Sequence, residues 1–332
     1  MYTGLIGVRK SAGAWNSICG FYNTEGEIVV PVEWADLRFF KEGLAAVKSM
    51  DGYWGFIDEN NNIVVEPIYE EVNDFNEGYA WVGRKAGDNY YDPFGSFINI
   101  SGQTAFSLVS SQPSEFQEGM AAVYNRDNRK WGFINRNGTT VIPYEYTYVQ
   151  NFDNELAAVS KGEGMFDNKS NWGFIDKENN PTSEFIYDEP KETFKGGLKI
   201  VQIGYNDYPR WGAYGAIDLT GKEVISCEYD KIGNVSEGLI SVVKNNNMGF
   251  VDTNGKVVIP FTFSGTLTSF QNGLAQIGSG FINTEGEFVI PPDYYRISGT
   301  SHEILPFEDG YAYASTDSWG REPVQLSIVP IE

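Results

Sequence analysis

Trp131-Gly132-Phe133-Ile134-Asn135-Arg136-Asn137-Gly138, followed by Thr139-Thr140-Val141-Ile142-Pro143, reads as a β-hairpin. An aromatic and aliphatic run enters an Asx-x-x-Gly tetrad, and a β-branched run leaves it. A hairpin built on a type I turn closes through one residue in the left-handed backbone well. Glycine enters that well freely and asparagine tolerates it. The opening Asx side chain can accept a hydrogen bond from the backbone two residues on. The tetrad therefore predicts the bend, and its flanks predict the two strands.

The same tetrad recurs along the chain. Its first residues are Asn23, Asp58, Asn99, Asn135, Asp176, Asp218, Asp252 and Asn283, and its fourth are Gly26, Asn61, Gly102, Gly138, Asn179, Gly221, Gly255 and Gly286. Where Gly is replaced, Asn replaces it, the one exchange this geometry forgives. The strand before the turn repeats as W-G-F-I-D at Trp54–Asp58 and Trp172–Asp176, with looser copies around Phe21, Phe97, Ala216, Phe250 and Phe281. A second phrase, F-x-E-G-L-A-A-V, is clearest at Phe40–Val47, Phe116–Val123 and Phe152–Val159. Copies start near 4, 43, 78, 119, 155, 197, 238, 273 and 310, a step of 35 to 42 residues. Runs such as Ile28-Val29-Val30-Pro31 and Val257-Val258-Ile259-Pro260 follow the turns. Proline lacks the amide hydrogen, so it ends a strand or sits on a sheet edge. Each copy therefore holds three or four short strands, and no window keeps a helical period.

These phrases resemble the WG-repeat family, also described as KWG or WG-containing β-repeats, over essentially the whole chain. The signature stands almost verbatim at Lys130-Trp131-Gly132-Phe133-Ile134 and at Asn171-Trp172-Gly173-Phe174-Ile175-Asp176. The resemblance implies an all-β fold of tandem β-hairpin repeats and carries no single activity with it. The expectation is one continuous array over residues 1–332, with about eight full copies and a degenerate C-terminal one. An open superhelical β-array is favoured, because nine starts exceed the usual four to eight propeller blades and atypical ends suit capping repeats. A closed β-propeller is the alternative. Three departures stand out. Glu155 occupies a glycine position, Ala216 occupies the strand Phe position, and Trp is absent before Gly20, Gly249 and Gly280. Either looser packing or compensation by neighbouring residues is expected in such copies.

Apolar residues make up 41% of the 332 and aromatics 15%, ample for a packed core. The 45 acidic side chains outnumber the 24 basic ones, for a net charge of −21. Phosphate neutralisation needs the opposite sign, which argues against nucleic acid and equally against anionic membrane surfaces. Such a field steers a basic protein partner towards the chain, and it also keeps a β-rich chain soluble. No stretch approaches the roughly 20 apolar residues of a membrane span. The start, Met1-Tyr2-Thr3-Gly4-Leu5, lacks a charged segment followed by an apolar run, so a cytoplasmic location is expected. Cys19 and Cys227 lie too far apart in sequence to read as a metal motif or disulfide framework.

No cofactor or metal motif stands out, and the single histidine, His302, is read as a surface or structural residue. Glu42, Glu77, Glu118 and Glu237 recur once per copy. A catalytic pair is needed once, whereas a structural position is needed in every repeat, so these glutamates are read as turn or strand-edge residues. The link between the A-A-V strand and the Phe strand varies most. It runs 9 residues from Val47 to Phe56 and 4 from Ile277 to Phe281, but 15 from Val82 to Phe97, Val159 to Phe174 and Val201 to Ala216. Insertions at one junction emerge on one side of a repeat protein and commonly mark its binding side. The long links carry Tyr90, Tyr91, Asp92 and Phe94, then Met165, Phe166 and Asp167, then Tyr205, Asp207, Tyr208, Arg210 and Trp211. Aromatics and arginine are enriched at interface hot spots. The function expected is a non-enzymatic protein-binding scaffold, an acidic inhibitor or immunity-type protein masking a basic partner. Carbohydrate or cell-wall binding through exposed rings is the alternative.

Overall fold

The computed structural model describes residues 4–11, 17–84, 94–109, 113–162, 172–190, 194–204, 213–264, 266–278, 280–290, 311–314 and 324–327. Among them every regular element is a β-strand. The strands form nine small antiparallel sheets of consecutive segments: five three-stranded, three four-stranded, and one two-stranded. None closes into a barrel. The all-β, tandem-hairpin reading is therefore the observed fold class. The N-terminal sheet is formed by Ile6–Ser11, Ser17–Tyr22 and Ile28–Trp34. The C-terminal one consists of Tyr311–Ala314 paired with Val324–Ser327. Contacts divide the chain into two compact bodies, Met1–Asp167 with Gly173–Pro181, and Asn168–Trp172 with Thr182–Glu332.

One complete repeat shows how the sequence builds a sheet. Its four strands are Asp36–Leu37, Leu44–Lys48, Trp54–Asp58 and Ile63–Tyr69, hydrogen-bonded in that order. Between the first two, Lys41 and Leu44 exchange both backbone hydrogen bonds, at 2.8 and 2.9 Å. Glu42 and Gly43 lie between them at φ 52° and 82°. Two successive left-handed residues make a type I′ turn, whose twist matches that of the flanking strands. The pairs Glu77-Gly78, Glu118-Gly119 and Glu237-Gly238 repeat this geometry. Asn154-Glu155 does so without glycine, so Glu155 holds φ 66° at a position where Cβ is mildly strained. The glutamate in the repeated phrase is thus a turn residue.

The Asx tetrads behave as read. All eight fourth residues have positive φ, from 62° at Asn61 to 84° at Gly286. In all eight, the Asx side-chain oxygen accepts the backbone N–H groups two and four residues on, at 2.7 to 3.2 Å. Hydrogen bonds from the Asn62 side chain and backbone hold the Asp58 carboxyl below its ordinary value. At Asp218 burial works against the charge, but bonds from Thr220 and the Lys222 backbone outweigh it and the pKa is again lowered. A depressed folded-state pKa gives stability above the unfolded value, near 3.9, that is lost as pH falls through the folded value. Acid unfolding therefore sets in below about pH 4. The Asp58→Asn, Asp218→Asn double variant, which copies Asn23 and Asn135, should show a shallower acid limb in a circular-dichroism titration. An unchanged limb would remove these carboxylates from the account.

The glycine of each W-G-F strand has a different reason. The register between third and fourth strands shifts on both sides of Phe56, a bulge that brings the fourth strand close. A Cβ on Gly55 would lie 2.3 Å from the Val65 carbonyl oxygen and 2.6 Å from the Pro67 nitrogen. Proline is accommodated at the bulge, and the edge strands Ile28–Trp34, Ile63–Tyr69, Thr140–Tyr146 and Val257–Ser264 run on past it. It marks the sheet edge and does not end the strand.

The core lies between sheets. Leu44, Trp54, Phe56 and Val65 of one repeat form a single buried cluster with Val72, Phe75, Val82 and Ile98 of the next. At its centre the third-strand Phe of one repeat meets the Phe before the next type I′ turn. The ring centroids are 4.8 Å apart for Phe56–Phe75, 4.9 Å for Phe97–Phe116, 5.0 Å for Phe133–Phe152 and 4.9 Å for Phe250–Phe270. Ala216 and Val235 replace both rings at one interface, and Ile200 packs there, where the other repeats have Ala46 or Ala122. The hairpin turns complete the stacking. Asn61 Nδ2 donates to the Val29 carbonyl of the preceding edge strand at 2.8 Å. At Gly255 the approach to that strand is so close that a Cβ would lie 2.6 Å from the Val224 oxygen.

Candidate interaction surface

The variable links all join the second and third strands of a repeat. Short ones are tight turns. Ser49 and Tyr53 close one at 2.8 Å, and Asn245-Asn246 make a two-residue hairpin at φ 54° and 63°. The long links join Tyr79–Val82 to Phe94–Asn99, Ala157–Ser160 to Trp172–Ile175, and Leu198–Ile203 to Ala213–Asp218. Of the residues expected to form a binding side, Phe94 opens the strand Phe94–Asn99. Tyr90, Tyr91, Asp92, Met165, Phe166, Asp167, Tyr205, Asp207, Tyr208, Arg210 and Trp211 lie outside the described residues.

Beside these hairpins sits an aromatic rung. Trp54 pairs across the sheet with Tyr69, Trp131 with Tyr146, and Tyr214 with Tyr229. Cations cover several of these rings. The Arg38 guanidinium lies 4.7 Å from the Trp54 ring centre, and the Lys161 and Lys244 ammonium groups lie 5.3 and 5.7 Å from Tyr146 and Tyr229. Burial, reinforced by Glu223, pushes the Tyr187 hydroxyl up to about 12. Burial and Glu223 likewise raise the Cys227 thiol to about 12, and burial raises Cys19, so both free thiols stay protonated at neutral pH.

The recurring glutamates are engaged within the fold. Glu42 accepts the Gly78 N–H, Glu77 the Gly119 N–H, and Glu237 the Gly273 N–H, at 2.8 to 2.9 Å. Glu118 accepts both the Asn154 and Glu155 N–H groups, at 2.7 and 2.8 Å. Each carboxylate thus caps the equivalent turn of the next repeat. Sequence reading found the recurrence but missed this latch.

Several basic side chains are also tied up. Arg38 pairs with Asp74 at 3.1 Å, Arg84 with Glu70, Arg136 with Glu77 at 2.8 Å, Lys177 with Glu155 at 2.7 Å and Lys244 with Glu228 at 2.9 Å. Local pairing leaves the 21-charge excess of carboxylates to set the field at longer range.

Tandem sheets with shared cores, latched turn to turn, define a β-repeat scaffold. The chain belongs to the WG containing repeat family, which matches residues 20–54, 54–84, 131–164, 172–206, 214–247, 248–277 and 280–318. No curated protein matches it. Among solved structures it is similar to a eukaryotic initiation factor, with 14% identity, a TM-score of 0.44, and coverage of 91% of this chain and 88% of that one. BamB from Moraxella catarrhalis shares 11% identity at a TM-score of 0.35, over 95% of this chain and 94% of that one. The computationally designed Ika8 protein shares 12% at 0.34, over 84% and 91%.

Proposed function

We propose that this chain is a non-catalytic, cytoplasmic scaffold that binds and masks a basic protein partner, as an acidic inhibitor or immunity-type protein does. The observation that carries the reading is the net charge of −21 on a repeat array in which Arg38, Arg136, Lys177 and Lys244 are each already held in an ion pair. An unscreened field of one sign accelerates encounter with an oppositely charged surface. The long links between second and third strands supply the aromatic and arginine anchors for contact. The recurring glutamates support a non-enzymatic role, since each is used as a turn cap. Glycan binding through the repeated rings fits less well, because Phe56, Phe133 and Phe250 are buried and Trp54 is only 8% exposed.

The test is capture from host lysate followed by affinity measurement on the purified pair. The partner should be basic, and its affinity should fall by about tenfold or more between roughly 50 and 300 mM salt as screening shortens the Debye length. A partner held with no salt dependence, or the absence of any partner, contradicts the reading.

A further inference from the structure

The first strands of successive repeats share one register. Leu37 pairs with Val47, Val72 bridges Val82, and Ile232 pairs with Val242. The next residue is Arg38, Asn73 and Gly233, respectively. At the first two, the side chain crosses to the following repeat. Arg38 Nη1 donates to the Val72 carbonyl and to Asp74 Oδ1, each at 3.1 Å. Asn73 Nδ2 donates to the Pro113 carbonyl at 3.0 Å. Gly233 has nothing to send across.

Opposite Gly233 the second strand carries Ser241, where Ala46, Ala122 and Ala158 stand in other repeats. A Cβ on Gly233 would lie 2.6 Å from Ser241 Oγ, so the hydroxyl sits against the place a side chain fills elsewhere. Ser241 is 1% exposed, and its Oγ has no hydrogen-bond partner among the described residues. Leaving a buried hydroxyl unpaired is costly, and native proteins rarely do so without a reason. Around it lies a cavity of about 240 Å³ lined by Ile200, Ile232, Asn234, Ser241, Leu267 and Thr268. None of its described lining residues is charged, and Ser269 stands where Asp74 pairs with Arg38. A guanidinium would therefore enter without its carboxylate. A neutral amide would not need one.

We propose that this cavity binds a primary carboxamide, the side-chain group of asparagine or glutamine. Its N–H donates to the Leu267 carbonyl, as Asn73 donates to Pro113, and its oxygen accepts the Ser241 hydroxyl. The site stands on the cavity alone and does not depend on a basic partner.

The experiment is an NMR titration of the full chain with propionamide, following the Gly233, Asn234 and Ser241 amide signals. A saturable shift at these signals is expected. Ser241→Ala should weaken it about fivefold, the worth of one ordinary hydrogen bond. The Gly233→Gln, Ser241→Ala double variant copies the Gln150–Ala158 pairing and should abolish binding. If that variant fails to fold, Ser241→Ala carries the test. A blocked peptide with a central glutamine separates the sources: tighter binding than propionamide assigns the ligand to a protein segment, and equal binding assigns it to a free amide. Both results uphold the site. Absence of a saturable shift, no loss in Ser241→Ala, or equal binding of methylguanidinium or a methyl glucoside overturns the proposal.

Discussion

Replacing Phe133 with alanine should lower the unfolding free energy by about 3 to 5 kcal/mol, the usual range for truncating a fully buried ring. Phe133 has no exposed surface, and its ring meets Phe152 edge-on at 5.0 Å. The two belong to different repeats, so the loss strikes the contact that holds one sheet against the next. The neighbouring backbone is pinned by the Asn135 turn and by pairing with the second and fourth strands, which limits collapse into the void. Urea denaturation of the full chain reads the loss directly. Ile63→Thr on the fourth strand provides the contrast: that side chain is 49% exposed, and its replacement should change stability by no more than about 0.5 kcal/mol. Similar losses at both positions would mean that the buried Phe pairs do not hold the repeats together.

Gly55→Ala should cost about 3 kcal/mol, the upper part of the range for forcing atoms into a packed site. The added methyl would meet the Val65 oxygen at 2.3 Å and the Glu66 carbonyl carbon at 2.8 Å, and these are backbone atoms of a bulge that cannot rotate away. Relief requires parting the third and fourth strands, where Trp54 pairs with Tyr69. Gly43→Ala makes the comparison informative. That position has φ 82° and nothing within 4 Å of an added Cβ, so its penalty is conformational alone, about 1 to 2 kcal/mol. Thermal or urea unfolding of both variants separates close approach from backbone strain. If Gly43→Ala proved the more damaging, the bulge explanation for the W-G dipeptide would be wrong.

Local chemistry was legible in the sequence. Each Asx tetrad encodes its own bend, because the acceptor, the N–H groups and the left-handed residue all lie within five positions. For the same reason Asn61 and Asn179 could be read as equivalents of glycine. What depends on a neighbouring repeat was not legible. The partner of Glu42 is the Gly78 N–H, 36 residues away, and nothing near Glu42 announces it. The W-G glycine could be counted, but its cause is a carbonyl brought close by a register shift that the strand pattern does not show. Where Ala216 replaces Phe, the sequence left looser packing and compensation by neighbours both open. Partly buried Val235 and Ile200 pack against the cluster that holds Ala216, and a void opens nearby at Gly233, a position that looks unremarkable until the register aligns it with Arg38 and Asn73. The interaction surface was read from link lengths. The structure assigns those links to equivalent hairpins, while the chosen side chains, apart from the position of Phe94, lie outside the described residues.

The structural account stands on the core being shared between repeats, and a double-mutant cycle on Phe56 and Phe75 measures that sharing. Their rings lie 4.8 Å apart across the boundary between two sheets. Alanine at each site, singly and together, should reveal a coupling of about 0.5 to 1.5 kcal/mol, as found for packed aromatic pairs. The same cycle between Phe56 and Phe133, which lie in non-adjacent repeats, should be additive. Additive losses at Phe56 and Phe75 would show that each repeat holds itself together alone, and the shared core would be refuted.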